Sequence, residues 1–470
     1  MKYTFLKRAV FTALLAFLIT GIIAAQEYYT GAILDEALYN SLPQKAAQLT
    51  RAYENMPDAV SLKAYAPVPG NQGAYGTCVA WSTAYAARTI SESIALNRIN
   101  RQLTTENTFS PTFIYKNISS DPSGKTGTVI SDALNVMKTE GAVKMLAIER
   151  TGDYFRNTSL SMFRNSQRYP IADYVILYRS DRGNPGTDLS RIDIVKKSIS
   201  ENKPVIIGME VYTSFSNAKD VYNPGRQLGM YRGGHAMCVV GYDDTKYGGA
   251  FEILNSWGTD WGNGGYTWIP YTVFDQFAYH AYEMIERLDS YKDATEYDGF
   301  AQIELYGSKA GMPVVFSNGY YRTTASYESG TRFRYLLGND KPAYVYAFAS
   351  DETIRQTTQI FPLDDVTSPV LDYSENTIAF PGEYKWIQLD NQPGTDYLVV
   401  LYSKEALNID AIRTRFTREG GTFPERVAKA VGSNFIPYNQ AIYNPAELRF
   451  SATSTNTKAI FGLLLAIGHR

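Results

Sequence analysis

The first feature in the polar and apolar pattern is a charge-free run over 9–25, preceded by Lys7 and Arg8 and followed by polar Gln26 and Glu27. A basic start, an apolar stretch and a small-residue end predict a secretory signal peptide over 1–25, cut after Ala25, in preference to a membrane anchor. Beyond it, Leu38, Leu42, Ala46 and Leu49 recur at helical spacing, and Pro43 suits a helix start better than an interior. The text from 57 to 76 is irregular. The small and apolar stretch 78–97 sets Ala80, Ala84, Ala87, Ile90 and Ile94 on one face and predicts a buried helix. Helical patterns follow over 130–139 and 191–202. A strand pattern covers 205–209, and 229–270 reads as strands broken by glycines.

After about Leu288 alternation with period two takes over. Phe333, Tyr335 and Leu337 share one strand face, and Tyr344, Tyr346 and Phe348 another. The pattern continues over 378–380, 386–389 and 397–401. Turn signals separate the runs: Gly338-Asn339-Asp340, Pro381-Gly382 and Pro393-Gly394. A helix is expected over 423–431 and a buried strand over 459–467, the latter too short to span a membrane. The division that follows is a signal peptide (1–25), a short arm (26–57), a mixed domain (58–288) and an all-β sandwich-like domain (289–470).

Composition narrows the chemistry. The 470 residues include only 2 cysteines and 3 histidines, which excludes a disulfide scaffold and a four-cysteine zinc site. Lys+Arg 45 against Asp+Glu 47 leaves a charge of −2 with no long basic run, which argues against nucleic acid as a partner. The 37 tyrosines favour β-structure. No cofactor or metal is expected.

Three segments can carry a reaction: 71–82 around Cys78, 233–242 around His235, and 254–266 around Asn255 and Trp257. Cys78 follows a glycine-bearing loop and opens the buried helix. The helix dipole and unpaired N–H groups there would lower a thiol's pKa and could bind an oxyanion. His235 stands at the lip of an apolar strand, after Gly233 and Gly234. His280 has aromatic neighbours and reads as packing, and His469, beside the C-terminus, as solvated. An asparagine amide can hold an imidazole in one tautomer while an indole shields the pair. On a strand, His235 and Met237 share a face and Cys238 points to the other, so Cys238 reads as a core residue and not as a disulfide partner of Cys78.

In this order the segments resemble the cysteine, histidine and asparagine boxes of papain-like cysteine peptidases, over about 60–286. The resemblance implies an α+β fold of two lobes, one helical and one β-barrel-like. It implies Cys78 as nucleophile, His235 as base and later acid, and Asn255 as the group orienting His235 under Trp257. Gln72 would donate to the oxyanion together with the Cys78 N–H. Tyr75, Thr77 and Val79 depart from the family's usual Cys, Ser and Trp around the nucleophile. The paired glycines that bind substrate backbone have no clean counterpart; Gly124 and Gly127 are nearest, with Gly234 beside the histidine. The 26–57 arm is too short for the family's inhibitory domain but long enough to block a cleft.

The expected activity is exported endopeptidase action on protein or peptide substrates. A silent binding protein and an acyltransferase with the same triad are the alternatives. The C-terminal part resembles β-domains appended to bacterial enzymes. It carries no catalytic set, suits surface or partner docking, and its removal near 290 is expected to leave small-peptide hydrolysis intact.

Overall fold

The computed structural model describes residues 28–180, 189–287, 295–308, 310–372 and 376–470. The expected signal peptide and the change of character near 288 lie outside these residues.

One helix threads the first domain in three consecutive stretches, Cys78–Ala80, Trp81–Arg88 and Thr89–Ala95, the middle one wound as a π-helix. All residues from 78 to 93 are buried, so the helix is enclosed all round and not on one face alone. Ala80, Ala84, Ala86 and Ala87 let neighbours close in. The Ser82 and Thr83 hydroxyls satisfy themselves inside by donating to the Val79 carbonyl at 3.0 and 2.7 Å. Arg88 is buried too, paired with Glu286 at 3.1 Å. Helices Pro111–Ile118 and Ile130–Thr139 pack on it and complete the helical lobe. The first of these had no visible apolar period, being short. Its signals are local: Ser110 accepts from the Phe113 N–H at 3.0 Å and Pro111 sits in the first turn.

The second lobe is one antiparallel sheet. Its strands are β1 (Ala59–Ser61), β2 (Asp173–Ile176), β3 (Val205–Tyr212), β4 (Tyr231–Asp243), β5 (Ala250–Leu254), β6 (Tyr266–Pro270) and β7 (Ala278–Ile285). The order is β2-β7-β3-β4-β5-β6, with β1 on β4. Strand β4 brings His235 opposite Met209 of β3, and sets Cys238 between Ile206 and Leu254. Both cysteines are free and buried.

The C-terminal part is a two-sheet sandwich. One sheet runs Thr358–Phe361, Ala343–Ser350, Gly394–Ser403, Ile460–His469, Tyr320–Tyr327, Val314–Ser317. The other runs Asn376–Phe380, Arg332–Asn339, Thr295–Leu305, Arg449–Ser454, Ile442–Tyr443. Val345, Ala347, Leu398, Val400 and Leu463 fill the space between them. The outer face of the first sheet carries the expected helix Phe423–Val431 and a second one, Ile409–Arg418, which its polar surface hid from the sequence pattern. The placing of His469 in solvent is corrected. It is buried at the end of the last strand, 3.0 Å from the Ser329 hydroxyl and 3.4 Å from Asp396.

The two domains share a buried joint. Val175 and Ile285 of the first pack against Tyr344, Tyr346 and Val370 of the second. The arm is partly helical, in short pieces, as its spacing suggests. Among its described residues Glu36–Ser41 is an α-helix and Thr50–Ala52 a 3-10 helix. Its apolar positions divide between neighbours: Tyr39 enters the first core, Ala46 the second, and Leu49 meets Leu336 and Ala379.

Candidate active site

Asn255 fixes the state of His235. Its Oδ1 accepts the Ser256 N–H at 2.8 Å, which identifies that atom as the oxygen, and lies 2.8 Å from His235 Nε2. A carboxamide oxygen can only accept, so Nε2 carries the proton and Nδ1 presents its lone pair. That Nδ1 has no hydrogen-bond partner among the described residues. Trp257 stacks on the imidazole with ring centres 4.6 Å apart. The Cys78 sulfur lies beside the same strand, where the Ala236 N–H is one of its donors; the Val79 and Cys78 N–H groups are others. Helix start, strand lip and strand end thus bring Cys78, His235 and Asn255 together.

Gln72 is fully buried, and its amide is aimed from both ends. Oε1 accepts from the Ser256 hydroxyl at 2.5 Å, while Nε2 donates to the Tyr75 and Tyr29 carbonyls at 2.7 and 3.1 Å. Tyr154 holds the loop from beneath. Its hydroxyl reaches the Gln72 carbonyl at 3.1 Å, the Thr77 hydroxyl at 2.8 Å and the Trp81 indole N–H at 3.1 Å. Ser256 stood in plain view between Asn255 and Trp257. Tyr154 left no signal, because its loop is remote in sequence.

The glycines separate. Gly234 lines the cleft beside His235, and Gly127 flanks it. Gly124 packs under Phe155 and Tyr75. The backbone that pairs across the cleft at this edge is that of Thr128, a residue the sequence did not single out.

The cleft is filled by the chain's own arm. Ile33 N–H donates to the Thr128 carbonyl at 2.9 Å, and Thr128 N–H to the Gly31 carbonyl at 2.8 Å. On the opposite lobe, Ala32 N–H donates to the Gly234 carbonyl at 3.0 Å. The Tyr29 carbonyl accepts from Gln72 and from the Trp257 indole at 2.9 Å, and Tyr28 stacks on Trp257. This cover reverses the expectation of an acidified thiol. Burial pushes Cys78 up to about 12 against its backbone donors, and burial brings His235 down to about 4. With the arm in place the two groups are a neutral pair.

Residues 57–282 match the family described as papain family cysteine protease. A cathepsin B-like cysteine proteinase 3 of Ostertagia ostertagi is 31% identical over 97 residues, covering 20% of this chain and 55% of that protein. Peptidase 1 of Dermatophagoides farinae is 24% identical over 217 residues, 44% of this chain and 58% of the other. Among solved structures, xylellain, a cysteine protease from Xylella fastidiosa, covers 56% of this chain and 96% of its own at 23% identity, with a TM-score of 0.43. The chain spans little more than half the length of the two curated relatives named.

Proposed function

With residues 57–282 belonging to the papain family of cysteine proteases, we propose that the chain is an exported cysteine endopeptidase working through Cys78, His235 and Asn255. The observation that carries this reading is the Asn255–His235 bond, which leaves a lone pair on Nδ1, on the strand whose next residue, Ala236, turns its backbone to the Cys78 sulfur.

Once the cleft is open, His235 Nδ1 takes the thiol proton and the sulfur attacks the carbonyl carbon of a peptide bond. The carbonyl π electrons move to oxygen, where Gln72 Nε2 and the Cys78 N–H receive the charge. His235 then hands the proton to the departing amine nitrogen, and the C–N bond breaks. Water attacks the thioester carbon and gives its proton to His235. Carbon–sulfur cleavage releases a carboxylic acid and restores the thiol. The imidazolium formed in between is stabilised by the Asn255 oxygen and shielded by Trp257.

Peptide hydrolysis by the opened chain, lost in Cys78→Ala and blocked by an epoxide-type thiol inhibitor, tests the reading. Cleavage that survives Cys78→Ala would refute it. Product analysis with an added amine acceptor separates hydrolysis from acyl transfer. Export rests on the 1–25 pattern, and N-terminal sequencing of secreted protein is expected to begin at Gln26.

A further inference from the structure

We propose that the C-terminal domain holds a second acyl-transfer centre, in which Ser329 is the nucleophile, His469 its base and Asp396 the group that orients His469, acting on esters with a good leaving group. The centre uses none of the residues assigned to the peptidase site, and it stands or falls without them.

The sequence shows no catalytic set in this domain because the three residues are scattered along it. The fold brings them together. Ser329 sits in the turn between the strands Tyr320–Tyr327 and Arg332–Asn339. The Thr331 N–H donates to the Glu328 carbonyl at 3.0 Å, and Gly330 has a φ of +86°. Ser329 is therefore the first corner of a type II turn, and it is half-exposed there. His469 ends the strand Ile460–His469, with its side chain only 1% exposed. Asp396 lies on the neighbouring strand Gly394–Ser403, two residues after Gly394, which pairs with His469. The Ser329 hydroxyl is 3.0 Å from His469 Nε2. Asp396 Oδ2 is 3.4 Å from Nδ1, and Asp390 Oδ1 is 3.9 Å from the same nitrogen.

Two carboxylates on the Nδ1 side favour the tautomer with its proton there. Nε2 then presents its lone pair to the Ser329 O–H. The 3.4 Å approach is an ion-pair distance, and Asp396 Oδ2 is buried with no hydrogen-bond partner among the described residues. Catalytic contacts of this length tighten when substrate binds. Burial raises Asp396, His469 opposes that rise, and Asp390 and Asp351 add to it. A proton taken up by His469 relieves this crowd of carboxylates, so the imidazolium of the reaction is well placed.

The backbone beside the nucleophile sets the substrate class. The Ser329 N–H donates to the Arg470 carbonyl at 2.9 Å and the Gly330 N–H to the Leu389 carbonyl at 3.0 Å. Neither amide is open to an oxyanion, and one such donor is worth about 10²- to 10³-fold in rate. Amides are thus poor substrates, whereas an aryl ester has a leaving group that carries its own charge. In the reaction Ser329 gives its proton to Nε2 while Oγ bonds the ester carbonyl carbon. The bond to the aryl oxygen breaks, and that oxygen takes the proton from Nε2. Water then attacks the acyl-serine and gives a proton to Nε2. The Oγ–carbon bond breaks, the carboxylic acid leaves, and Oγ takes the proton back.

The test uses the full chain with Cys78→Ala, so that no thiol of the peptidase site takes part, and diisopropyl fluorophosphate as probe. Its phosphorus–fluorine bond breaks as phosphorus bonds Oγ. Peptide mass is expected to find one adduct, on Ser329, formed about 10²-fold faster than on a synthetic peptide carrying the same turn. Adding Asp396→Asn, which keeps size and shape at a side chain 36% exposed, should slow labelling about tenfold or more with the thermal melt unchanged. Adding His469→Gln should bring labelling down to the rate of the peptide. The Cys78→Ala chain should also hydrolyse p-nitrophenyl acetate, and Ser329→Ala should abolish that turnover. No adduct on Ser329, labelling at the peptide's rate, or labelling as fast with Asn at 396 would overturn the centre. So would p-nitrophenyl acetate hydrolysis that survives Ser329→Ala.

Discussion

His235 is held by one partner at Nε2, so its usefulness as a base depends on Asn255 more than on its own burial. Replacing Asn255 with Ala frees the ring to adopt the other tautomer, and kcat should fall by about 10² to 10⁴ with little change in KM. Gln72→Ala removes the amide proposed to receive the oxyanion and should lower kcat about 10²- to 10³-fold; a change confined to KM would mean that the amide only positions substrate. Acid should loosen the arm's hold on the cleft. His235 refuses a proton under cover until about 4, whereas its ordinary value is 6.5. The uncovered form therefore gains protons as pH falls from 6.5 towards 4, and opening is favoured there. Around the ring stand Asn255, Trp257 and Phe215, with Cys78 protonated. Cys78 alkylation by a small reagent, corrected for thiolate fraction with a free-thiol standard, should speed up across that window. A flat corrected profile would show that His235 does not govern opening.

At the scale of elements, the long regular segments were legible and the irregular ones were not. The helices Ile130–Thr139 and Phe423–Val431 stand where their apolar period places them. The cysteine helix was visible as an apolar run, but its π-wound centre was not, since the winding answers to packing on all sides. The arm's helical pieces are short because its apolar residues face different bodies in turn. Among the proposed site residues, Cys78, His235, Asn255 and Gln72 stand in local motifs. Thr128 and Tyr154 could not, because their roles come from long-range docking. Tyr39 of the arm carries its own test. Tyr39→Phe leaves the Tyr178 carbonyl and Ala281 N–H short of a partner in the interior, and should cost about 1–3 kcal/mol in urea unfolding. A loss below about 0.3 kcal/mol would mean that the Tyr39 hydroxyl does not anchor the arm.

The whole molecule is less divisible than its sequence suggests. The expectation that truncation near 290 leaves hydrolysis intact meets a joint sealed by Tyr344, Tyr346 and Val370 and by the Lys203–Asp372 pair. Burial alone would raise Glu283, but Lys203 and Lys45 bring it down to about 2. Its ionised form thus supports the fold above the ordinary carboxylate range, and that support is lost as pH falls towards 2. Truncation is therefore expected to yield an insoluble or unstable first domain, checked by thermal melting beside the full chain; an unchanged melt of the isolated domain would contradict the joint. The central claim remains the nucleophile. Opened chain treated with an epoxide-type thiol inhibitor, digested and weighed, is predicted to carry one adduct, on Cys78, in step with complete loss of peptide hydrolysis. An inhibited chain with Cys78 unmodified, or full modification of Cys78 with hydrolysis intact, would contradict it.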